Sequence, residues 1–301
     1  MRIKVLGCDG GIGGSLRTCA LLVNDNVLLD AGTGVGDLPL SELIKIEHVF
    51  ITHAHIDHIA CLPLLLDAVV TSRSHPITVH ATDETVQALQ SHIFNWSIWP
   101  DFTQIPSPDS PSMQYSRVEL GEVVDLGFCR ITPVPAEHAI PTVGFHLQNS
   151  SGSLVYCGDT TSCDPLWEAV NAIDDLKYLI IETAFDNAKL RLAERAGHLC
   201  PILLAAELEK LKRPAQILID HMKPGLGDTI MREIAQEVRN QFPGELKRGQ
   251  ILELFFFPNL QDHRRPSSPW VCPANSYYVY KSPLFHRLAN PGGNGTIWVH
   301  A

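Results

Sequence analysis

Three histidines and an aspartate fall within six positions of this 301-residue chain. The segment reads His53-x-His55-x-Asp57-His58. Neutral imidazoles with a carboxylate form a borderline ligand set that favours zinc, with manganese and iron as alternatives. Side chains two residues apart in an extended segment point the same way, so His53 and His55 are able to share one ion. Asp57 and His58 follow and turn toward a second position, so the spacing indicates two metal ions.

The cluster is predicted to lie on a turn from a strand to a helix. Residues 48–52 have the pattern of a buried strand, and residues 56–70 carry enough apolar side chains to form a helix. Residues of metal-binding type also recur where other predicted strands end, namely Asp30, His138, Asp159, Glu182 and His221. Two β-rich halves with helices outside, each contributing to one edge, account for this recurrence and predict an α+β fold.

Four of these positions have a predicted role of their own. Asp30 ends a strand before glycines, where a carboxylate can hydrogen-bond a ligand histidine, although a plain turn cap is the alternative. His138 is positioned to complete a metal shell, and a loop histidine is the alternative. Asp159 is able to bridge two cations with its two oxygens. His198 is predicted near the start of a helix that runs to about Leu211, where anionic groups are favoured.

Two loops are informative. The glycine-rich residues 7–15 lack the helix that a dinucleotide-binding fingerprint requires, because residues 18–23 and 27–30 predict a hairpin. A flexible loop whose backbone approaches the site closely is preferred over a plain turn. Residues 95–112 form a long irregular segment, which is either a functional lid or a loop anchored on the core by its aromatic residues.

Composition restricts the class of protein. Hydrophobic residues make up 45% and charged residues 19% of the chain, which is typical of a globular enzyme. The net charge of −10 provides no global basic field for nucleic acid, although a local basic patch stays open. No secretion signal and no apolar run of roughly 18 residues is evident, so no membrane partner is expected. Eight scattered cysteines without a CxxC pair predict free buried thiols in a reducing cytoplasm.

The character of the sequence changes after about residue 250. We therefore predict a catalytic domain over residues 1–250 and an extension over residues 251–301 that packs on that domain or at an oligomer interface. The extension is rich in proline, asparagine and aromatic residues and has no clear periodicity. Three roles stay open for it: wrapping the core, extending an edge strand, or forming a homodimer.

The ligand series over residues 1 to about 250 resembles that of the metallo-β-lactamase fold, a four-layer αββα sandwich. Gly197-His198 after Glu182 resembles the phosphodiesterase branch that includes ribonuclease Z, in which a glutamate orients a histidine near the scissile phosphate. Residues 10–18, 52–59 and 92–102 are similar to the class II cyclic-nucleotide phosphodiesterases, and the last of these segments is the most specific.

This resemblance implies a ligand set and a reaction. One ion would be held by His53, His55 and His138, the other by Asp57, His58 and His221, with Asp159 bridging and His198 beside the phosphate. A hydroxide between two divalent ions about 3.5–4 Å apart, most simply Zn²⁺ with Mn²⁺ or Fe²⁺ as alternatives, would attack phosphorus. The substrate would be a 3′,5′-cyclic nucleotide such as cAMP or cGMP, and expulsion of its 3′ oxygen would give a 5′-nucleotide. Asp57 would also accept the proton of the nucleophile, and His198, oriented by Glu182, would donate to the phosphate or the leaving oxygen.

Three other functions stay open. A tRNA 3′-processing endonuclease would use the same metals but needs a basic surface and an RNA-gripping arm, which the net charge of −10 disfavours. A thioester or lactone hydrolase of the same fold would not need the pair of Glu182 and His198. A binding protein without catalysis would keep the site for structure only.

Overall fold

Short apolar segments separated by turns divide the chain into strands and helices. The computed structural model describes residues 1–241, 251–256, 278–279 and 296–298, with side chains up to residue 238. The strands are β1 (Arg2–Gly7), β2 (Ala20–Val23), β3 (Val27–Leu29), β4 (His48–Phe50), β5 (Ile77–Ala81), β6 (Pro106–Ser107), β7 (Ser110–Pro111), β8 (Met113–Arg117), β9 (Val124–Asp125), β10 (Arg130–Pro135), β11 (Val143–Asn149), β12 (Gly152–Tyr156), β13 (Leu176–Glu182), β14 (Ala215–Asp220), β15 (Ile251–Phe256), β16 (Tyr278–Val279) and β17 (Thr296–Trp298).

The helices lie between these strands. The α-helices are α1 (Leu40–Leu43), α2 (Ile56–Ile59), α3 (Leu62–Val69), α4 (Asp83–His92), α5 (Asp164–Asn171), α6 (Leu190–Ala196), α7 (Pro201–Leu208) and α8 (Gly227–Gln241), and two 3₁₀ helices span Thr33–Asp37 and Asn187–Lys189.

The described strands form two mixed sheets and a small ribbon. The first sheet has the order β17-β1-β2-β3-β4-β5-β8, in which β3, β4, β5 and β8 run parallel. The second has the order β16-β15-β14-β13-β12-β11-β10-β9, in which β12, β13, β14 and β15 run parallel. Strands β6 and β7 pair with each other only, among the residues described.

Three apolar clusters show how the sheets stack. One packs the two sheets face to face, and in it the rings of Phe50 and Phe145 meet edge to face with centroids 5.5 Å apart. A second covers the outer face of the first sheet with α3 and α4, and a third covers the outer face of the second sheet with α5, α7 and α8. The layers are therefore helix, sheet, sheet and helix, which confirms the predicted four-layer αββα sandwich.

The parallel strands bring the predicted site residues to one edge. Asp30 follows β3, and the His53 segment follows β4 in the first sheet. Asp159 follows β12, Glu182 ends β13, and His221 follows β14 in the second sheet. Because the carboxyl ends of parallel strands meet at the same edge, five separate chain segments deliver polar side chains to one place.

Two predicted helices differ from the structure. The helix expected over residues 56–70 is broken into α2 and α3, because Pro63 has no N–H to donate to the carbonyl of Ile59. The helix expected around His198 also begins later, at Pro201, and the separate helix α6 ends at Ala196. His198 therefore lies in the link between two helices, so side-chain contacts rather than a helix terminus must position it.

The structure also bears on the predicted loop over residues 95–112 and on the extension after residue 250. In the loop over residues 95–112, Phe102 is buried and stacks edge to face on Phe94, so part of this loop is anchored on the core. Trp96 and Ile98 are exposed on the same loop. Of the extension after residue 250, the described strand β15 joins the second sheet beside β14, and β17 joins the first sheet beside β1. The domain boundary at residue 250 stays a prediction.

Candidate metal centre

Three histidines and one aspartate form a first group of donor atoms. Nδ1 of His55 lies 3.1 Å from Nε2 of His53 and 3.1 Å from Nε2 of His138. Oδ2 of Asp159 lies 3.6 Å from Nε2 of His53 and 3.7 Å from Nε2 of His138. The four side chains therefore present their donor atoms to one shared space.

A second group lies on the other side of Asp159. Nε2 of His58 is 3.2 Å from Oδ1 of Asp159, and Nε2 of His221 is 3.3 Å from Oδ2. Nε2 of His221 is also 3.3 Å from Oδ2 of Asp57. Asp159 thus faces both groups: Oδ2 lies near His53, His138 and His221, and Oδ1 lies near His58. All seven residues predicted to bind metal therefore converge.

Asp30 orients one histidine of each group through hydrogen bonds. It is fully buried, with its backbone in the left-handed region at φ 57°. Oδ2 accepts a hydrogen bond from Nδ1 of His58 at 2.7 Å and another from the hydroxyl of Tyr156 at 2.8 Å. The hydroxyl of Thr52 donates to the same carboxylate and accepts from Nδ1 of His53 at 2.9 Å. These contacts place the protons of His53 and His58 on Nδ1, so each Nε2 carries a lone pair into the site.

A glycine fixes His138 in the same way. Nδ1 of His138 donates to the carbonyl of Gly197 at 2.6 Å, which leaves its Nε2 free to face the first group. Gly197 caps α6 with φ 69°, and a Cβ there would lie 2.7 Å from the nitrogen of Ala139. Only glycine fits this position without a shift of the backbone.

The glycine-rich loop over residues 7–15 holds His221. The carbonyl of Cys8 accepts a hydrogen bond from the nitrogen of His221 at 2.7 Å. A Cβ on Gly10 would lie 2.4 Å from the carbonyl oxygen of His221 and 2.9 Å from its Nδ1. The prediction that this loop allows a close backbone approach to the site is therefore confirmed.

Glu182 and His198 form a buried pair beside the two groups. Oε1 of Glu182 accepts from Nδ1 of His198 at 2.6 Å. The same carboxylate accepts from the backbone nitrogens of Thr160, Ala184 and Leu199 at 3.0–3.3 Å, so it is fixed from several sides. A ring nitrogen of His198 lies within 4.8 Å of donor atoms of Asp159 and His221. The pair therefore places an imidazole at the rim of the second group.

The β-lactamase superfamily domain matches residues 25–222, which is more than half of the chain and includes every residue of both groups. The chain belongs to the β-lactamase superfamily. A probable 3′,5′-cyclic-nucleotide phosphodiesterase of Yersinia pestis is 25% identical, with 84% of this chain and 85% of that protein covered. A ribonuclease Z of Mycobacterium bovis is 24% identical, with 74% and 81% covered. The structure of unliganded yeast PDE1 superposes with a TM-score of 0.69 at 19% identity, covering 85% of this chain and 96% of that one, and shows a shared fold.

These comparisons confirm the resemblance to metallo-β-lactamase proteins that the ligand series indicated. Membership of the β-lactamase superfamily also implies that the chain binds divalent metal. The donor atoms fit such an ion, because Nε2 of His58 and Oδ1 of Asp159 are buried without a hydrogen-bond partner. They lie 3.2 Å apart but are not aligned for a bond with each other, so a cation between them would satisfy both.

The electrostatics of this β-lactamase superfamily site suit a cation as well. Burial lowers the pKa of His53, and the neighbouring His58 lowers it further. Burial alone would raise the pKa of Asp159, but His221 and His58 hold it well below its usual range. Burial also raises the pKa of Asp57, but the neighbouring His221 lowers it by more, so the net shift of the Asp57 pKa is downward. Burial opposes protonation of His58, but Asp159 and Asp30 raise its pKa above the ordinary value. Because ionised carboxylates and neutral imidazoles are the forms that bind metal, a cation would displace the proton of His58 and find the other groups ready.

Three residues near the site had no signal in the sequence. Thr52 and Tyr156 both donate to Asp30, but a threonine and a tyrosine in apolar strands look like ordinary core residues. Cys19 lies with ring nitrogens of His58 and His221 in a group whose donor atoms are all within 4.8 Å of one another. All seven cysteines among the described residues are buried and free, as predicted, and Cys272 lies outside those residues.

Within the described part of the chain, no helix combines the length and the apolar character that crossing a bilayer requires.

Proposed function

We propose that the chain is a dinuclear metal-dependent phosphodiesterase that hydrolyses 3′,5′-cyclic nucleotides to 5′-nucleotides. The observation that carries the proposal is the pair of Glu182 and His198, 2.6 Å apart and adjacent to two groups of metal-type donors. A hydrolase that attacks a thioester or a lactone has no need of this buried acid and imidazole. The similarity to a probable cyclic-nucleotide phosphodiesterase across 84% of the chain supports the substrate class.

The two donor groups divide the proposed ligands. His53, His55 and His138 would hold one ion, and Asp57, His58 and His221 the other, with Asp159 shared between them. Zinc is the preferred ion for this set of imidazoles and carboxylates, with manganese or iron as alternatives. When bound, such a pair of cations lowers the pKa of water and offsets negative charge on the phosphate oxygens.

Asp57 is the proposed proton acceptor. Its side chain is 25% exposed, whereas that of Asp159 is 2% exposed, so Asp57 is the carboxylate that solvent reaches. Oδ2 of Asp57 lies 3.3 Å from Nε2 of His221, so this oxygen and that nitrogen would face the same ion and Oδ1 is left to take a proton from the attacking water. The water oxygen forms the new bond to phosphorus as its proton moves to this carboxylate.

His198 is the proposed partner of the phosphate and of the leaving group. Because Nδ1 is engaged by Glu182, only Nε2 is available to the substrate. Burial lowers the pKa of His198, whereas the charge of Asp159 raises it. The anionic phosphate would also favour the protonated ring once substrate is bound. A proton from Nε2 would reach the 3′ oxygen as its bond to phosphorus breaks, giving the free 3′ hydroxyl of a 5′-nucleotide.

Lys223 places a positive charge near His198, at the rim of the second group. Lys223 follows His221 closely, and its backbone nitrogen donates to the carbonyl of Ala184 at 3.0 Å. Its ammonium is close enough to His198 to help lower the pKa of that ring. The charge of Lys223 at the rim suits a small phosphate diester, whereas a net charge of −10 does not suit the long backbone of an RNA.

The proposal is tested by a comparison of substrates. Zinc-loaded protein is assayed on cAMP, cGMP, a precursor tRNA and a lactone, and hydrolysis of a cyclic nucleotide alone is the expected result. His198→Ala should lower kcat on the cyclic nucleotide by roughly 10²-fold or more, because a positioned acid contributes 10²–10⁴-fold. His146→Ala is the matched control, since His146 bonds Ser153 at 2.9 Å outside the site.

Other outcomes would contradict the proposal. Cleavage of precursor tRNA without cyclic-nucleotide turnover would make the chain a ribonuclease Z, in line with its similarity to the Mycobacterium bovis protein. Lactone hydrolysis that survives His198→Ala would remove the argument from the pair of Glu182 and His198. Activity on none of the four would favour a binding protein.

A further inference from the structure

Cys19 lies immediately before β2, on the buried side of the second donor group. Its exposed fraction is 1%, and that of His58 is 0%. The Sγ atom and ring nitrogens of His58 and His221 all lie within 4.8 Å of one another. A sulfur atom therefore lies within 4.8 Å of a ring nitrogen of each of two proposed metal ligands.

Packing does not account for the thiol. Cys8, Cys61, Cys129, Cys157 and Cys163 each belong to one of the three apolar clusters that the described residues form. Cys19 and Cys200 belong to none of those clusters, although both are as buried as the members. The carboxylates of Asp220, Asp159 and Asp30 are near enough to act on Cys19 electrostatically. Its surroundings are those of a polar centre rather than of a core.

His58 supplies an independent observation. Asp30 engages Nδ1 of His58, and Nε2 then faces the second group, fully buried and without a hydrogen-bond partner. An unpaired buried nitrogen is costly, and a cation would satisfy its lone pair. A ring nitrogen of the same histidine lies within 4.8 Å of the sulfur of Cys19.

The backbone holds Cys19 against the second group. The carbonyl of Cys19 accepts from the nitrogen of Gly32 at 3.0 Å. A Cβ on Gly32 would lie 2.5 Å from that carbonyl oxygen and 2.6 Å from the carbonyl oxygen of Asp57. The segment before β2 and the start of α2 are thus pressed together through a glycine, which fixes the sulfur relative to Asp57 and His58.

We propose that Sγ of Cys19 is a thiolate ligand of the ion held by Asp57, His58 and His221. This inference rests on the metal centre of the proposed function and adds a ligand to it. The thiol proton would pass to solvent when the cation binds, since only the thiolate coordinates metal. A soft sulfur donor favours zinc over manganese, so the second position would be the more selective for zinc.

The position of the sulfur leaves the reaction face open. Cys19 and His58 form the buried floor of the second group, whereas the side chain of Asp57 is 25% exposed. A substrate reaches the centre past Asp57 and does not meet Cys19. Sulfur ligation would therefore set which metal is held without blocking the phosphate.

The test replaces zinc with Co²⁺ in the full chain and records the near-ultraviolet spectrum. The wild type should show a thiolate-to-cobalt charge-transfer band, and Cys19→Ser should bind cobalt without it. Cys129→Ser is the matched control and should keep the band, since Cys129 is an equally buried thiol in the cluster between the sheets. Loss of the sulfur should also raise the zinc dissociation constant by about tenfold or more, because even residues that only orient a ligand contribute roughly 10–100-fold.

A second measurement covers the case in which Cys19→Ser does not fold. X-ray absorption of the zinc-loaded wild type should contain a sulfur scatterer at ~2.3 Å, the usual distance from zinc to a cysteine sulfur. Two bound cobalt ions without the band, or zinc without sulfur, would overturn the role of Cys19 while cyclic-nucleotide turnover keeps the proposed function. Failure to bind cobalt or zinc at all would instead overturn the metal centre on which both proposals rest.

Discussion

Oδ2 of Asp30 lies 2.7 Å from Nδ1 of His58, and both side chains are fully buried. The carboxylate also accepts from Thr52, whose hydroxyl accepts in turn from His53. One aspartate thus orients a proposed ligand of each ion, directly in one case and through a hydroxyl in the other. A change at Asp30 should therefore affect both metal positions although this side chain belongs to neither donor group.

Asp30→Asn should weaken zinc binding at both positions by roughly 10–100-fold, the usual effect of removing a partner that orients a metal ligand. Asparagine tolerates the left-handed backbone of Asp30, so the change acts through the lost negative charge rather than through the turn. Zinc titration against a competing chelator measures the effect. Asp25→Asn, at an exposed carboxylate paired with Arg2, should leave the titration unchanged. Wild-type affinity in Asp30→Asn would mean that the orientation of His58 does not matter for binding.

Glu182→Gln should separate positioning from binding. The amide keeps the shape of the side chain but no longer favours a protonated His198, so kcat should fall by about 10²-fold while metal content and KM change little. Steady-state kinetics and metal analysis on the same preparation measure this split. Glu207→Gln is the matched control, because Glu207 is also buried and accepts from Nε1 of Trp167 at 2.7 Å, away from the site. An equal loss of activity in both variants would indicate a general effect on folding.

Gly10→Ala should displace His221. The added Cβ would lie 2.4 Å from the carbonyl oxygen of His221, a contact that the backbone must shift to avoid. We expect the ion bound by His221 to be lost before the other ion, with a cost in stability of about 1–3 kcal/mol. Metal content after dialysis and thermal unfolding measure the two effects.

Gly36→Ala provides the comparison for that experiment. A Cβ on Gly36 would lie 3.7 Å from Sγ of Cys61, an ordinary contact, so this variant should keep its full metal content. Equal metal retention in Gly10→Ala and Gly36→Ala would show that the glycine-rich loop does not hold His221 in place.

The proposed ligands could be found in the sequence because they are polar residues that follow apolar strands, either in the next turn or, for Asp57 and His58, in the short helix after it. Asp159 lies three residues after the end of β12 and His221 directly after β14, and this position beyond the carboxyl end of a parallel strand determines where they meet. Most of the proposed metal ligands can therefore be predicted from polar residues that follow apolar strands. The αββα layering follows from the same alternation of apolar segments, since each sheet needs one face on the other sheet and one face under helices.

The supports of the site could not be found in that way. The hydrogen bond from His138 to Gly197 joins residues 59 positions apart, and the sequence around His138 contains no pattern that predicts it. His198 was expected at a helix start, but the left-handed Gly197 ends α6 there and Glu182 provides the anchor. Cys19 looks like any other cysteine in an apolar segment until the fold brings it beside His58. Tertiary contacts of this kind leave no local pattern in the sequence.

His80 gives a prediction about acid stability that is separate from the metal centre. Its ring stacks on Phe50 with centroids 4.2 Å apart, and its Nε2 lies 3.0 Å from Nδ1 of His48. Burial, and secondarily the charge of His48, lowers the pKa of His80 to about 4. The folded chain therefore holds this imidazole neutral at pH values where the unfolded chain, with a pKa of about 6.5, binds a proton.

His80→Gln should reduce the loss of stability on acidification. The neutral ring contributes stability that is fully present above about pH 6.5, and this contribution decreases as the pH falls toward 4, at up to about 1.4 kcal/mol per pH unit. A glutamine does not titrate, so the difference in unfolding free energy between wild type and variant should shift in favour of the variant from pH 6.5 to 4. Urea unfolding of metal-free protein at several pH values measures that difference.

His75→Gln, at an exposed histidine in the loop before β5, should give a constant difference. A difference for His80→Gln that does not change with pH would mean that His80 protonates equally in the folded and unfolded chains.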